Sequence, residues 1–184
     1  RALKTANLGE NAIRDKGTAA LSEALKSNNT LETLLLFTNG IGVAGAQSLA
    51  SMLQVNRSLT SVNLLKNDLG DGAAAVVAAA KQHGNITTLC GIEQGKADVK
   101  FLQYGLKASD AVLLSFDLEV NRALTALDVR FNDLGDGSAA LAGAVSEHQQ
   151  IKMFCEIPVK QLRDDALTEL DLSGKDIGTC GAMV

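Results

Sequence analysis

A chain of 184 residues is long enough for one or two domains, and its net charge of −4, from 17 basic and 21 acidic residues, offers no Lys/Arg cluster of the kind that holds nucleic acid. Hydrophobic residues make up 46% but aromatics only 3%, with no Trp, which suits a narrow core of stacked Leu, Ile, Val and Ala. No apolar run approaches the ~20 residues that span a bilayer, and the opening Arg-Ala-Leu-Lys-Thr-Ala-Asn is not a signal peptide. Three cysteines, Cys90, Cys155 and Cys180, form no C-x-x-C pair and read as reduced thiols of an intracellular, cytoplasmic protein.

Along the chain one frame returns. It starts as Leu3-x-x-Ala6-x-Leu8-x-x-Asn11-x-Ile13, with Gly17, Leu21, Leu25 and Asn28 behind it. It repeats as Leu31-x-x-Leu34-x-Leu36-x-x-Asn39-x-Ile41, and again as Leu59-x-x-Val62-x-Leu64-x-x-Asn67-x-Leu69, each step 28 residues. Units 3–30, 31–58 and 59–85 are therefore regular. A stub, 86–95, has a strand's apolar spacing but no helix after it. The frame resumes in 96–123 and 124–150, meets a second stub at 151–158, and ends in a truncated unit, 167–184. Leu59 and Leu124, Asn67 and Asn132, His83 and His148, and Cys90 and Cys155 are each 65 residues apart, so the duplicated module is two units plus a stub. About six extra residues near Val159–Asp165 break that match and are expected to form a surface loop.

Apolar positions 1, 4 and 6 of a unit describe a short strand that turns these side chains inward. Asn at position 9 sits at an inward turn, where its amide can bond backbone groups the turn leaves unpaired. A helix follows at 3.6-residue spacing, for example through Leu21, Ala24 and Leu25. Asp71, Asp136 and Asp110 are placed to cap helix starts. Asn28, Asn56, Gly84 with Asn85, and Asn121 are expected to end helices in left-handed geometry. The fold class is α/β: a single right-handed solenoid, a horseshoe with a parallel inner sheet and outer helices.

A period of 28 with L-x-x-L-x-L-x-x-N-x-L spacing resembles the leucine-rich repeat, and the full helix per unit resembles its ribonuclease-inhibitor-like class. Leu124-Thr-Ala-Leu127-Asp-Val129-Arg-Phe-Asn132-Asp-Leu134-Gly and Leu167-Thr-Glu-Leu170-Asp-Leu172 carry the likeness, which covers residues 3–181. The same class forms the sensing region of NOD-like receptors and the body of the Ran GTPase-activating protein. The 65-residue module with its Cys-x-Ile stub looks like arrays in large proteins of algae and other protists. The resemblance implies a protein-binding scaffold. Tyr104 and Lys175 replace the position-9 Asn, and Lys96 replaces an apolar position 1, so the coil is expected to bend or loosen there.

Positions 3, 5 and 7 face outward on the concave side, the usual binding surface of this class. The candidate partner-binding residues are Thr33, Leu35, Phe37, Asn63, Leu65, Lys100, Leu102, Asp128, Arg130, Glu169 and Asp171. They divide into an apolar zone of Leu35, Phe37 and Leu65, joined by Ile92 and Leu102, and an acidic zone of Asp128, Glu169 and Asp171 beside Arg130. Exposed apolar clusters mark protein contacts. Phe37 and Leu65 folding over the turn as core edge is the competing reading. His83 and His148 are module copies with no metal-spaced neighbours and read as structural or solvent-facing. Cys90 and Cys155, also copies, read as buried small hydrophobes. The Asn67-Asp-Leu-Gly-Asp71-Gly and Asn132-Asp-Leu-Gly-Asp136-Gly segments resemble calcium loops but lack alternating ligands and a distal Glu, so turn chemistry explains them.

The leading expectation is thus a non-enzymatic scaffold that binds a protein partner through its concave face, with no cofactor, no metal, no nucleic acid and no membrane span. Its ends would be continued by further repeats or covered by a neighbouring subunit. A second reading is a structural or accessory subunit packed in a larger assembly. A third, GTPase activation of the Ran-activating type, rests on Arg14 in a loop after a strand, where those relatives carry a catalytic arginine.

Overall fold

The computed structural model describes residues 2–184. Strand and helix alternate: β1 (Thr5–Asn7), α1 (Arg14–Lys26), β2 (Thr33–Leu35), α2 (Val43–Leu53), β3 (Ser61–Asn63), α3 (Gly72–His83), β4 (Asp98–Lys100), α4 (Ala108–Val120), β5 (Ala126–Asp128), α5 (Ser138–Glu147), β6 (Met153–Phe154), α6 (Val159–Arg163) and α7 (Gly178–Ala182). The strands pair with one another in parallel, and the register steps by one unit, Thr5 against Thr33 against Ser61, then Asp98 against Ala126. The core lies where the sequence frame puts it. Leu34, Leu36, Leu64, Leu89, Leu106, Leu124 and Leu127 from the strand segments meet Leu49, Leu53, Val76, Leu114, Leu118, Leu141 and Val145 from the helices, all buried. In α2 the buried set Ala46, Leu49, Ala50 and Leu53 is the i, i+3, i+4, i+7 stripe that turns one helical face inward. Neighbouring helices approach closely where glycine allows it: a Cβ at Gly137 would lie 2.1 Å from the Ala108 carbonyl oxygen.

The inner sheet is not continuous. β1-β2-β3 form one sheet and β4-β5-β6 another. The first stub adds only isolated bridges to β3, Ser61 to Thr88 and Asn63 to Cys90, while the second stub supplies β6. The break falls just before Lys96 and Tyr104, where the sequence departs from the frame.

Four local expectations are corrected. Residues 159–165 do not form a loop: α6 turns there and sends the Arg163 guanidinium onto the Val145, His148 and Ile151 carbonyls at 2.6, 3.0 and 3.4 Å, satisfying the open C-terminal end of α5. Asp71 and Asp136 make no capping bond. Asp15 caps α2 from the preceding rung instead, accepting the Gly42 and Gly45 N–H groups at 2.7 and 3.0 Å. Only Gly84 takes the left-handed geometry, at φ 78°. Asn28 and Asn56 turn the chain by accepting the N–H groups two and three residues ahead, and Asn121 accepts the one two ahead. The segment Leu167–Leu172 forms no strand, and Leu170 stands 44% exposed, because no rung pairs with it.

Candidate functional site

What joins one rung to the next is the position-9 asparagine. The Asn67 amide oxygen accepts the Asn39 and Ile41 N–H groups at 2.9 and 3.1 Å, and its nitrogen donates to the Leu36, Leu64 and Leu65 carbonyls. Asn39 does the same one rung earlier, serving Asn11, Ile13, Leu8, Leu36 and Phe37. At the next rung, where Tyr104 replaces Asn, acid and hydroxyl groups of α4 take over. The Asp110 carboxylate accepts the Lys66 N–H at 2.8 Å and the Lys107 N–H at 2.9 Å, and the Ser109 hydroxyl donates to the Asn67 carbonyl at 3.1 Å. Asp110 is thus the third residue of α4 and a bridge between rungs, not an N-cap. Burial raises its pKa.

The same joint contains a carboxylate that the periodicity does not signal. Asp117, on the buried face of α4, accepts the Thr88 hydroxyl at 2.5 Å, the Leu89 N–H at 2.6 Å and the Cys90 N–H at 3.3 Å. Burial pushes its pKa up to about 7 against the pull of these donors. The helix register does place it inward, one turn after Leu113 and Leu114, so its polarity on an apolar face was the available clue. Burial, with Asp117 beside it, raises the Cys90 thiol well above its ordinary value; burial takes Cys155 to about 11 and Cys180 to about 12. All three cysteines are free and buried. The histidines are buried too. His148 accepts the Ile151 N–H on Nδ1 at 3.1 Å and lies 3.1 Å from the Asn121 carbonyl through Nε2. That is the service Asn56 gives Leu59 and Asn28, so His148 stands in for an asparagine with its proton on Nε2. Burial, with Arg57 nearby, lowers the His83 pKa. Among the described residues no group of His, Cys, Asp or Glu could hold a metal ion, and no helix is long and apolar enough to cross a membrane. Arg14 opens α1 rather than sitting in a loop, and is exposed.

The outward strand positions make two different surfaces. On the first sheet Thr33, Leu35, Phe37 and Asn63 are half-buried and uncharged. The Phe37 ring lies across Gly9, where a Cβ would come within 2.3 Å of it. Two members of the expected apolar zone are not surface: Leu65 is 1% exposed and Ile92 is also buried. The first-stub residues Cys90–Glu93 line a cleft together with Asn63 and Leu65, beside the Asn63–Cys90 bridge. On the second sheet Lys100 and Leu102 are exposed, the latter by 40%.

The expected acidic zone is also corrected. Asp128 is buried and neutralised by Arg130, whose guanidinium reaches both its oxygens, Glu156 at 2.6 Å and the Lys175 carbonyl at 3.0 Å. Lys175 closes the set on Glu156 at 2.9 Å. The Asp128 and Glu156 partners raise the Arg130 pKa, and Lys175 with Arg130 lowers that of Glu156. Glu169 and Asp171 lie outside this network on the strandless segment; the Ser173 hydroxyl and N–H lower the Asp171 pKa. Met153 and Glu156, which periodicity does not single out, and Tyr104, marked only as a departure from the position-9 Asn, join the surface because the stub and the broken rung present them.

Two cavities mark this surface. One of about 540 Å³ lies between the first stub and β4, lined by Asn63, Cys90, Ile92, Lys96, Lys100 and Tyr104 among others. The other, about 310 Å³, lies over β4–β6 and is lined by Lys100, Leu102, Asp128, Arg130, Met153 and Glu156 with their neighbours.

Residues 27–50, 55–78 and 120–140 match the family model described as Leucine Rich repeat. No curated protein matches the chain. Among solved structures, leiomodin-1 actin-binding site 2 is similar, at 20% identity and a TM-score of 0.42 over 82% of this chain and 68% of that one. A tropomodulin C-terminal domain from Caenorhabditis elegans is similar at 16% identity and 0.39, over 83% and 72%.

Proposed function

The chain is built of leucine-rich repeats, and on that premise we propose that it is a non-enzymatic scaffold that binds a protein partner through its strand face, centred on β4–β6. One observation carries the reading: Leu102 and Met153, 40% and 39% exposed, line a cavity together with Ala126 and Leu127, the charges of Asp98 and Lys100, and the paired Asp128, Arg130 and Glu156. Apolar side chains held in water beside fixed charges are the makings of an interface: the apolar part supplies burial and the charges supply selectivity. The Arg130 cluster is already neutralised within the chain, so it presents a rigid rim rather than a free charge.

The test is site-directed photo-crosslinking in cells of the source organism. A crosslinking amino acid at Leu102 reports the strand face, and one at exposed Ala75 of α3 reports the helix face. Capture of one protein from position 102, abolished by Met153→Asp, is the expected result. Capture confined to position 75 moves the interface to the helices and ends the proposal.

A further inference from the structure

In a continuous parallel sheet each strand bonds a neighbour on both sides. β4 does so only with β5. Its ladder uses Ala97, Val99 and Phe101, for example the Phe101 N–H to the Asp128 carbonyl at 2.8 Å and the Thr125 N–H to the Ala97 carbonyl at 2.8 Å. The N–H and C=O groups of Asp98 and Lys100 point to the other side, and among the described residues they have no hydrogen-bond partner. This is an open strand edge in the interior of the chain, with a folded rung on its far side.

The stub before it cannot close that edge, for a chemical reason. By its place in the unit, the Leu89 N–H is the group that would bond the Asp98 carbonyl. Asp117 takes it at 2.6 Å, takes the Thr88 hydroxyl, and accepts the Cys90 N–H at 3.3 Å. The Thr88 and Leu89 carbonyls are turned back to β3, accepting the Val62 and Leu64 N–H groups at 3.0 and 2.9 Å. A side-chain carboxylate thus replaces a strand on the stub side and leaves β4 without one. At the turn end the rungs are held together by Asp110 and Ser109, so the gap is a fixed cleft.

The cleft matches an extended backbone. Its volume is about 540 Å³. Its buried lining residues, Leu65, Cys90, Ile92 and Val99, are apolar. Its exposed residues are Tyr104 and the charged Glu93, Lys96, Asp98 and Lys100, which have no ion-pair partner among the described residues. A strand alternates its side chains between two faces, and this cleft offers a buried apolar lining and an exposed, mostly charged one. We propose that the open edge of β4 is a strand-addition site that takes an extended segment of a partner protein, with small apolar residues turned in and charged residues turned out toward Lys96 and Lys100. The proposal rests on the scaffold reading above and narrows it to a peptide-binding mode.

Linear twelve-residue peptides selected on phage against the full chain are the probe, read out by affinity and by amide hydrogen exchange. The selected peptides are expected to slow exchange at Asp98 and Lys100. Lys100→Pro removes the outward N–H but none that β5 uses, and Val99 before it is already extended, so the fold tolerates it. It should weaken binding about tenfold relative to Lys100→Ala, which keeps the N–H. Equal effects of the two substitutions would show side-chain recognition and overturn strand addition. So would peptides that leave both amides exchanging, or protection without peptide in a concentration-dependent dimer, which would make a second copy the occupant. Failure of this proposal alone leaves crosslinking at Leu102 intact; failure of the scaffold reading removes it.

Discussion

The strand faces of the two sheets are built on one frame and do different things. On β1–β3 the outward positions are uncharged, Phe37 lies on Gly9, and the asparagine ladder runs from rung to rung. On β4–β6 the outward positions carry Lys100, Asp128 and Arg130, and the ladder is broken at Tyr104 and held instead by Asp110, Ser109 and Asp117. The inward leucines are alike in both. Packing constrains the inward set and leaves the outward set free to diverge. A rung that loses its asparagine stays attached only if other polar groups meet the same backbone N–H and C=O groups.

The comparison is broken most easily at its strongest joint. Asn67→Ala leaves buried backbone groups unpaired on two rungs and should cost about 3 kcal/mol or more, measured by urea unfolding. Asn132→Ala, on the rung next to Tyr104, should cost about half as much, because only the Leu106 N–H uses its amide oxygen. Equal losses would mean the ladder is no more continuous in one sheet than in the other.

The joint between the sheets should sense pH. The folded-state pKa of Asp117, about 7, lies above its unfolded value, so the folded form favours the protonated acid. Its contribution is greatest below the unfolded value and is lost as pH rises through about 7. The stability advantage of the wild type over Asp117→Asn should therefore grow by a few kcal/mol between pH 7 and pH 4. His83 works the other way. Its folded pKa is lowered, so its contribution is present above about 6.5 and is lost as pH falls through the folded value. His83→Asn should lose less stability than the wild type on acidification in that range. A pH-independent difference in either pair would show that burial does not control the group.

Smaller effects sharpen the contrast. Asp15→Ala should cost about 1 kcal/mol by uncapping α2, with thermal unfolding as the measure. Leu102→Asp should change stability by less than about 0.5 kcal/mol, and Leu35→Asp, at a half-buried position, should cost about 1 kcal/mol. Only Leu102→Asp should abolish partner crosslinking; equal loss from both would spread the interface over both sheets.

Much of the fold was legible because inward positions recur. Leu34, Leu36 and Asn39 announce a strand, its buried side and its turn, and the register confirms the step. The candidate surface was legible only in part. Leu102 and Lys100 are exposed as periodicity predicts, but Leu65 is covered and Asp128 is paired. The two misses differ in origin: Leu65 lies in a cleft beside the first stub, which has no fixed place in the unit, whereas Asp128 is taken by Arg130 two residues along its own rung, with Glu156 of the second stub closing on that guanidinium. Arg163 and Asp117 have carbonyl, N–H and hydroxyl partners 12 to 29 residues away, which no local pattern names.

The sequence alone determined that strand and helix alternate, which side chains are inside, and that the strands run parallel, since a repeating apolar frame has only one way to bury itself turn after turn. Tertiary structure alone decided where the sheet stops, which outward charges stay free, and which edge is left open. Those outcomes depend on which carboxylate or guanidinium reaches a backbone group first, and that is settled by distances in space rather than spacing along the chain.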